Sequence, residues 1–92
     1  MISVEFTYRS KKYYALVRTK LIGPEKHHFI TVMNGDLETL LYGYHILIEE
    51  NGAFRPEEIA DPDVAELKRA ITTSFYRHLR EESIPGRQEP VY

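Results

Sequence analysis

The amino-acid sequence predicts an α+β domain, in which a mainly antiparallel sheet of four or five strands is covered on one face by one long C-terminal helix. Residues 2–9 alternate strictly between apolar and polar side chains, whereas the apolar residues from 64 to 79 recur at helical spacing. Turn dipeptides divide the stretch between them into short strand-like runs. The 92 residues are enough for one domain. We therefore expect a single domain over 1–82 and a tail over 83–92 that docks on the body or on a partner.

The first two strands are predicted to form a hairpin. Successive side chains of a strand point to opposite faces, which places the apolar residues of the first strand together on the face beneath the helix: Ile2, Val4, Phe6 and Tyr8. A two-residue loop at Ser10-Lys11 would set Tyr8 opposite Tyr13 in the second strand. The reverse face of the sheet then carries the side chains of Tyr14, Leu16 and Arg18.

Turn residues separate the next elements. Gly23-Pro24 ends the second strand, since proline cannot donate to the ladder of a sheet, and 27–33 resumes strand character. After the Asn34-Gly35 turn signal, leucines at i, i+3 and i+4 predict a short helical turn at about 36–42, with Asp36 as its cap. A fourth strand over 44–49 and the Asn51-Gly52 hairpin dipeptide complete the sheet, with a short return arm over 53–55.

The long helix is predicted at about 62–81. Asp61 can accept hydrogen bonds from first-turn amides, and Pro62 suits the first helical position. One apolar stripe follows, and with the sheet it defines the expected core: Ile2, Val4, Phe6, Val17, Ile30, Val32, Ile46, Ile48, Leu67, Ile71 and Phe75. An alternative packing would place the two hairpins in separate small sheets.

Composition narrows the class of function. The chain has no cysteine, which removes disulfides, thiolate metal ligands and cysteine nucleophiles. Small secreted domains usually depend on disulfides, so we expect a cytoplasmic protein. A net charge of −2 does not by itself indicate a polyanionic partner. No apolar stretch approaches the roughly 18 residues of a membrane span, and no membrane partner is expected.

The residues that could carry chemistry show no recognised arrangement. His27 and His28 are adjacent, so in a strand they face opposite sides, and none of the four histidines has the spacing of a metal-binding motif. The serines, threonines and acidic pairs match no catalytic pattern. We predict no catalytic residue, no metal ligand and no cofactor, and favour a non-enzymatic protein. An enzyme or metal site built from His28, His45 or His78 stays open as an alternative.

The reverse sheet face is the strongest candidate for a binding surface. Tyr14, Leu16 and Phe29 are too apolar to be left in water, and Arg18 lies among them. The short helical turn, the tail or a second subunit could cover them. The leading hypothesis is a small domain that acts through protein contacts as a homodimer. Single-stranded nucleic-acid binding on the same face is the alternative, because bases stack on exposed aromatic rings beside cations.

Overall fold

A computed structural model describes residues 1–83, which form one five-stranded antiparallel sheet and two helices. The strands follow one another in the sheet in chain order, so the alternative of two separate sheets is wrong. The elements, in order, are β1 (Ile2–Tyr8), β2 (Lys11–Ile22), β3 (Glu25–Val32), α1 (Gly35–Leu40), β4 (Ile46–Glu50), β5 (Ala53–Phe54) and α2 (Pro62–Ser83). The predicted α+β fold is confirmed. The docking expected of the tail lies outside the described residues.

The turn of the first hairpin lies at Arg9-Ser10, so the predicted Ser10-Lys11 loop is wrong. Tyr8 pairs with Lys11 instead of Tyr13. Both turn residues have positive φ, 53° for Arg9 and 69° for Ser10, as the primed two-residue turns that match the twist of antiparallel strands require. The register therefore slips by two residues, which leaves every side chain on its predicted face.

The remaining turns follow the sequence signals more closely. Asn51 and Gly52 have φ of 57° and 80°, so both central residues of the β4–β5 hairpin occupy the left-handed region, as its Asn-Gly dipeptide predicts. The cap of α1 is Asn34, not Asp36. Its side chain accepts a hydrogen bond from the Leu37 amide at 3.0 Å, because Asn34 is the last extended residue before the helix.

Helix α2 begins as predicted and packs its apolar stripe on the sheet. Asp61 Oδ1 accepts from the amide of Asp63 at 2.8 Å, which satisfies a first-turn donor. The stripe is buried against the strands at Val64, Leu67, Ile71 and Phe75. No helix within residues 1–83 is long and apolar enough to cross a membrane.

The orientation of β4 differs from the prediction. Leu47 is buried and Ile46 is 42% exposed, so Ile46 and Ile48 do not belong to the core. The cause is the pairing of β4 with β3, where Leu47 lies opposite the buried His28. Paired residues of an antiparallel sheet share a face, so Leu47 faces α2, and Ile46 and Ile48 face away from it.

Candidate interaction surface on the open sheet face

The two faces of the sheet have different surroundings. Both helices contribute to the core on one face, through Leu67 and Ile71 of α2 and through Leu37 and Leu41 at α1. The side chains of the reverse face remain exposed or half-buried. The described residues extend only 19 Å along their shortest axis, which corresponds to two layers. We call this reverse face the open face; its apolar members are Tyr14, Leu16, Phe29, Met33, Ile46 and Ile48.

The structure brings all four predicted interface residues onto the open face. Tyr14 is 52% exposed, Arg18 is exposed, and Leu16 and Phe29 are half-buried. Arg18 lies directly opposite Phe29 in the β2–β3 pair, and its guanidinium carbon lies 5.6 Å from the centre of the Phe29 ring. This contact is a cation–π interaction, which keeps the Arg18 guanidinium beside Phe29 on the open face.

Ile46 and Ile48 extend the apolar surface in a way the sequence prediction missed. Ile46 pairs with Phe29, and Ile48 pairs with His27. Leu16 on β2 lies opposite Thr31 and is therefore a diagonal neighbour of Phe29 on β3. Leu16, Phe29 and Ile46 form one diagonal apolar band across three neighbouring strands. A continuous band of this kind is more informative than scattered surface apolar residues, because it offers a single surface to a partner.

Charged side chains flank the band with opposite signs. On β2, Arg18 and Lys20 form a cationic side, and Lys20 has no ion pair within residues 1–83. At the end of β4, Glu50 is the outward carboxylate, 3.5 Å from the Arg55 guanidinium. The open face is thus basic on the β2 side of Phe29 and acidic at the end of the β4 side.

Glu25 binds two side chains, His27 and Arg55, at the acidic end of the open face. His27 Nε2 lies 2.8 Å from Glu25 Oε1, and the Arg55 guanidinium binds Glu25 Oε2 at 2.5 Å. The hydrogen bond from His27, followed by that from Arg55, lowers the pKa of the Glu25 carboxyl below its ordinary value. This network ties Arg55, the residue after β5, to the first residue of β3.

Glu25→Gln is expected to lower the melting temperature at neutral pH and to have less effect in acid. A carboxyl whose pKa is lowered by folding stabilises the protein above its unfolded-state pKa, about 4.3. That contribution is lost as the pH falls through the folded-state pKa. Thermal unfolding from about pH 7 to pH 3 should show the curves of the variant and the parent converging below about pH 4. Glu58→Gln, on the exposed chain before α2, is the control; a gap for Glu25→Gln that stays constant with pH would contradict the assignment.

On the helix-covered face, the buried His28 lies between two less buried polar side chains. The side chain of His28 is hydrogen-bonded at both nitrogens, Nδ1 to Thr19 Oγ1 at 2.7 Å and Nε2 to Glu49 Oε1 at 2.8 Å. Its ring lies 4.7 Å from that of Phe75. The sequence signal was available, because His28 alternates with Ile30 and Val32 and so falls on the core face. The order hydroxyl, imidazole, carboxylate resembles a nucleophile–base chain. His28 is 2% exposed, so solvent meets this chain mainly at the exposed Thr19 end, and we interpret the chain as a structural hydrogen-bond network.

The other histidines lie on separate parts of the chain, and His78 of α2 lies in a groove that is also lined by Val4 of β1. His45 Nε2 lies 2.9 Å from Glu38 Oε2, and His27 faces away from His28 toward Glu25. Within residues 1–83 no group of three or more histidine, aspartate, glutamate or cysteine side chains could hold a metal ion. His27 and His28 thus form hydrogen bonds to carboxylates, whereas His45 Nε2 is close to Glu38 without the geometry of a hydrogen bond.

Residues 1–83 form a small two-layer α+β domain, with one sheet face under a helix and the other covered by no element of this part of the chain. Comparisons found no protein-family model, no curated protein and no solved structure that matches the chain. Fold class alone does not carry a function, so the interpretation depends on the geometry of the open face.

Proposed function

We propose that this domain is a non-enzymatic, cytoplasmic protein that acts through protein contacts, and that it forms a homodimer through its open face. The observation that carries the proposal is the apolar band of Leu16, Phe29 and Ile46, with cations on one side of it and a carboxylate on the other. A symmetric pair needs a surface that is complementary to itself. The open face is complementary to itself when a second copy is related to it by a two-fold axis that runs along β3.

A two-fold axis along β3, parallel to the sheet, would place β2 of one copy over β4 of the other. Phe29 would then meet the same residue of the second copy, and Lys20 would lie over Ile48. Glu50 is two residues further along β4, or about 6.8 Å, within reach of the flexible Lys20 side chain. Sheets that pack face to face keep their strands within about 30° of each other. The resulting dimer is a sandwich with a helix on each outer surface.

Charge-reversal variants at Lys20 and Glu50 test the proposed dimer. The association of each variant is measured by sedimentation velocity over a range of protein concentrations. We expect the parent protein to dimerise, and Lys20→Glu and Glu50→Lys each to weaken dimerisation about tenfold or more, because each variant places like charges opposite one another. The double variant, or an equimolar mixture of the two single variants, should associate again. Lys11→Glu is the matched control, because it makes the same charge change at an exposed position outside the open face.

Two results would overturn the proposal: a parent protein that stays monomeric at high concentration, or a dimer that neither single reversal weakens. If the parent protein were monomeric and a different protein protected the amides of the open face from hydrogen exchange, the open face would bind that protein instead of a second copy.

Single-stranded nucleic-acid binding is the second candidate, favoured by the half-exposed Tyr14 on the same strand face as Lys12, Arg18 and Lys20. It requires affinity for an oligonucleotide that falls steeply with salt and decreases further in Tyr14→Ala, since base stacking contributes about 1–3 kcal/mol per base. Absence of binding at low salt would exclude it. The carboxylates of Glu5, Glu25 and Glu50 around the same face oppose a polyanion, which is why the dimer is preferred.

A further inference from the structure

A cleft lies away from the open face, between α2 and the chain that leads from β5 to it. Its volume is about 390 Å³, at the small end of the roughly 300–1,000 Å³ typical of ligand pockets. Its lining includes the apolar side chains of Leu47, Phe54 and Ile59, the carboxylate of Glu57, and a wall of α2 that carries Lys68 and Arg69. Apolar surface beside a few polar groups is the usual composition of a small-molecule site.

The charges of this cleft are unequally engaged. Lys68 is 3% exposed, and its ammonium donates to Glu57 at 2.5 Å and to the Ile46 carbonyl at 2.8 Å, so it is already neutralised. Arg55 forms an ion pair with Glu25 at the start of β3. Arg69 is exposed and has no hydrogen bond or ion pair within residues 1–83. The cleft therefore keeps one cation for a ligand, the guanidinium of Arg69.

We infer that this cleft binds a small organic monocarboxylate with an aromatic or branched apolar body. The carboxylate would pair with Arg69, whose planar guanidinium can donate two parallel hydrogen bonds to it. The apolar body would lie against Phe54 and Ile59. One available guanidinium matches the single charge of a carboxylate, and the hydroxyls of Thr72 and Thr73 line the same wall. The inference does not depend on the dimer, because none of these contacts involves the apolar band of the open face.

Benzoate is the probe, with benzyl alcohol as the uncharged analogue of the same size and inorganic phosphate as an anion without an apolar body. Backbone amide chemical shifts are followed by NMR during titration of the full chain. We expect saturable shifts for benzoate at Phe54, Ile59 and Arg69. Benzyl alcohol should bind at least about tenfold more weakly, because it cannot form the charge-assisted hydrogen bond to Arg69. Phosphate should also bind at least about tenfold more weakly, because it has no apolar body to bury.

Arg69→Gln should weaken benzoate binding by about tenfold or more. Arg77→Gln is the matched control, because Arg77 is an exposed arginine of the same helix, eight residues further on and outside the cleft. The site is rejected if benzoate produces no saturable shifts in the cleft, if Arg69→Gln binds it as well as the parent does, or if both arginine variants lose affinity equally. Equal affinity for benzyl alcohol would reject the role of the carboxylate, and equal affinity for phosphate would reject the role of the apolar body.

Discussion

Phe75→Ala is expected to lower the free energy of unfolding by about 3–5 kcal/mol, the usual cost of removing a fully buried phenylalanine. Phe75 is 1% exposed. Its ring lies 4.7 Å from that of His28, edge to face, and 6.1 Å from that of Phe54, stacked. The substitution therefore removes apolar burial and two aromatic contacts together. It also opens a cavity beside His28, whose hydrogen bonds depend on the exclusion of water.

For a domain of this size the loss corresponds to a decrease in melting temperature of about 12 °C or more. Urea unfolding and thermal circular dichroism measure both quantities. Tyr42→Ala is the control, since it removes a comparable ring that is 82% exposed, and we expect its effect to stay within about 0.5 kcal/mol. Similar losses for the two variants would contradict the assignment of Phe75 to the centre of the core.

Glu57→Gln is expected to destabilise the protein more than Lys68→Met does, although Lys68 is the buried partner. Removal of the carboxylate leaves a buried ammonium that still donates to the Ile46 carbonyl but has lost its counter-charge. We expect a cost of about 1–3 kcal/mol, at the lower end because the Glu57 side chain is 38% exposed and water can enter. Lys68→Met removes the charge that must be dehydrated and keeps the apolar stem, while Glu57 can turn to solvent. Its cost should stay near or below about 1 kcal/mol.

Urea denaturation of the two single variants and of the double variant measures the asymmetry. The double variant should be no less stable than Lys68→Met alone, because no buried charge remains to be compensated. A Lys68→Met variant less stable than Glu57→Gln would show instead that the ion pair contributes net stability. Thr73→Ala, at an exposed position on the same helix, serves as the control for helix substitution.

The faces of the first three strands could be predicted because they depend on local alternation. The error in the β1–β2 turn shifted the pairing by two residues, yet Tyr14, Leu16 and Arg18 stayed on the face assigned to them. A shift by an even number preserves side-chain direction. The turn lies at Arg9-Ser10 and not at Ser10-Lys11, and both of its residues have positive φ. Neither arginine nor serine has a strong preference for positive φ, so the residue types did not indicate this turn.

The buried polar residues were partly visible in the pattern. Lys68 falls within the helical stripe four residues after Val64, and His28 falls on the core face of β3. Residue type alone favours an exposed position for a polar side chain such as these two, and lysine in particular is seldom buried without a partner. Their partners, Glu57 and Glu49, are distant in sequence or on another strand. Burial of a polar group depends on such a partner, and the partner is a property of the folded chain.

By itself, the sequence determined the elements, their order and the inward faces of β1, β2, β3 and α2, because those features follow from turn residues and from periods of two and 3.6 residues. Only the tertiary structure decided the direction of β4. Ile46, Leu47 and Ile48 form an unbroken apolar run with no period, so only the pairing of Leu47 with His28 across β3 and β4 could select the inward residue. That long-range pairing placed Ile46, Ile48 and Glu50 on the open face, and with them the band and the charge asymmetry from which the dimer is inferred.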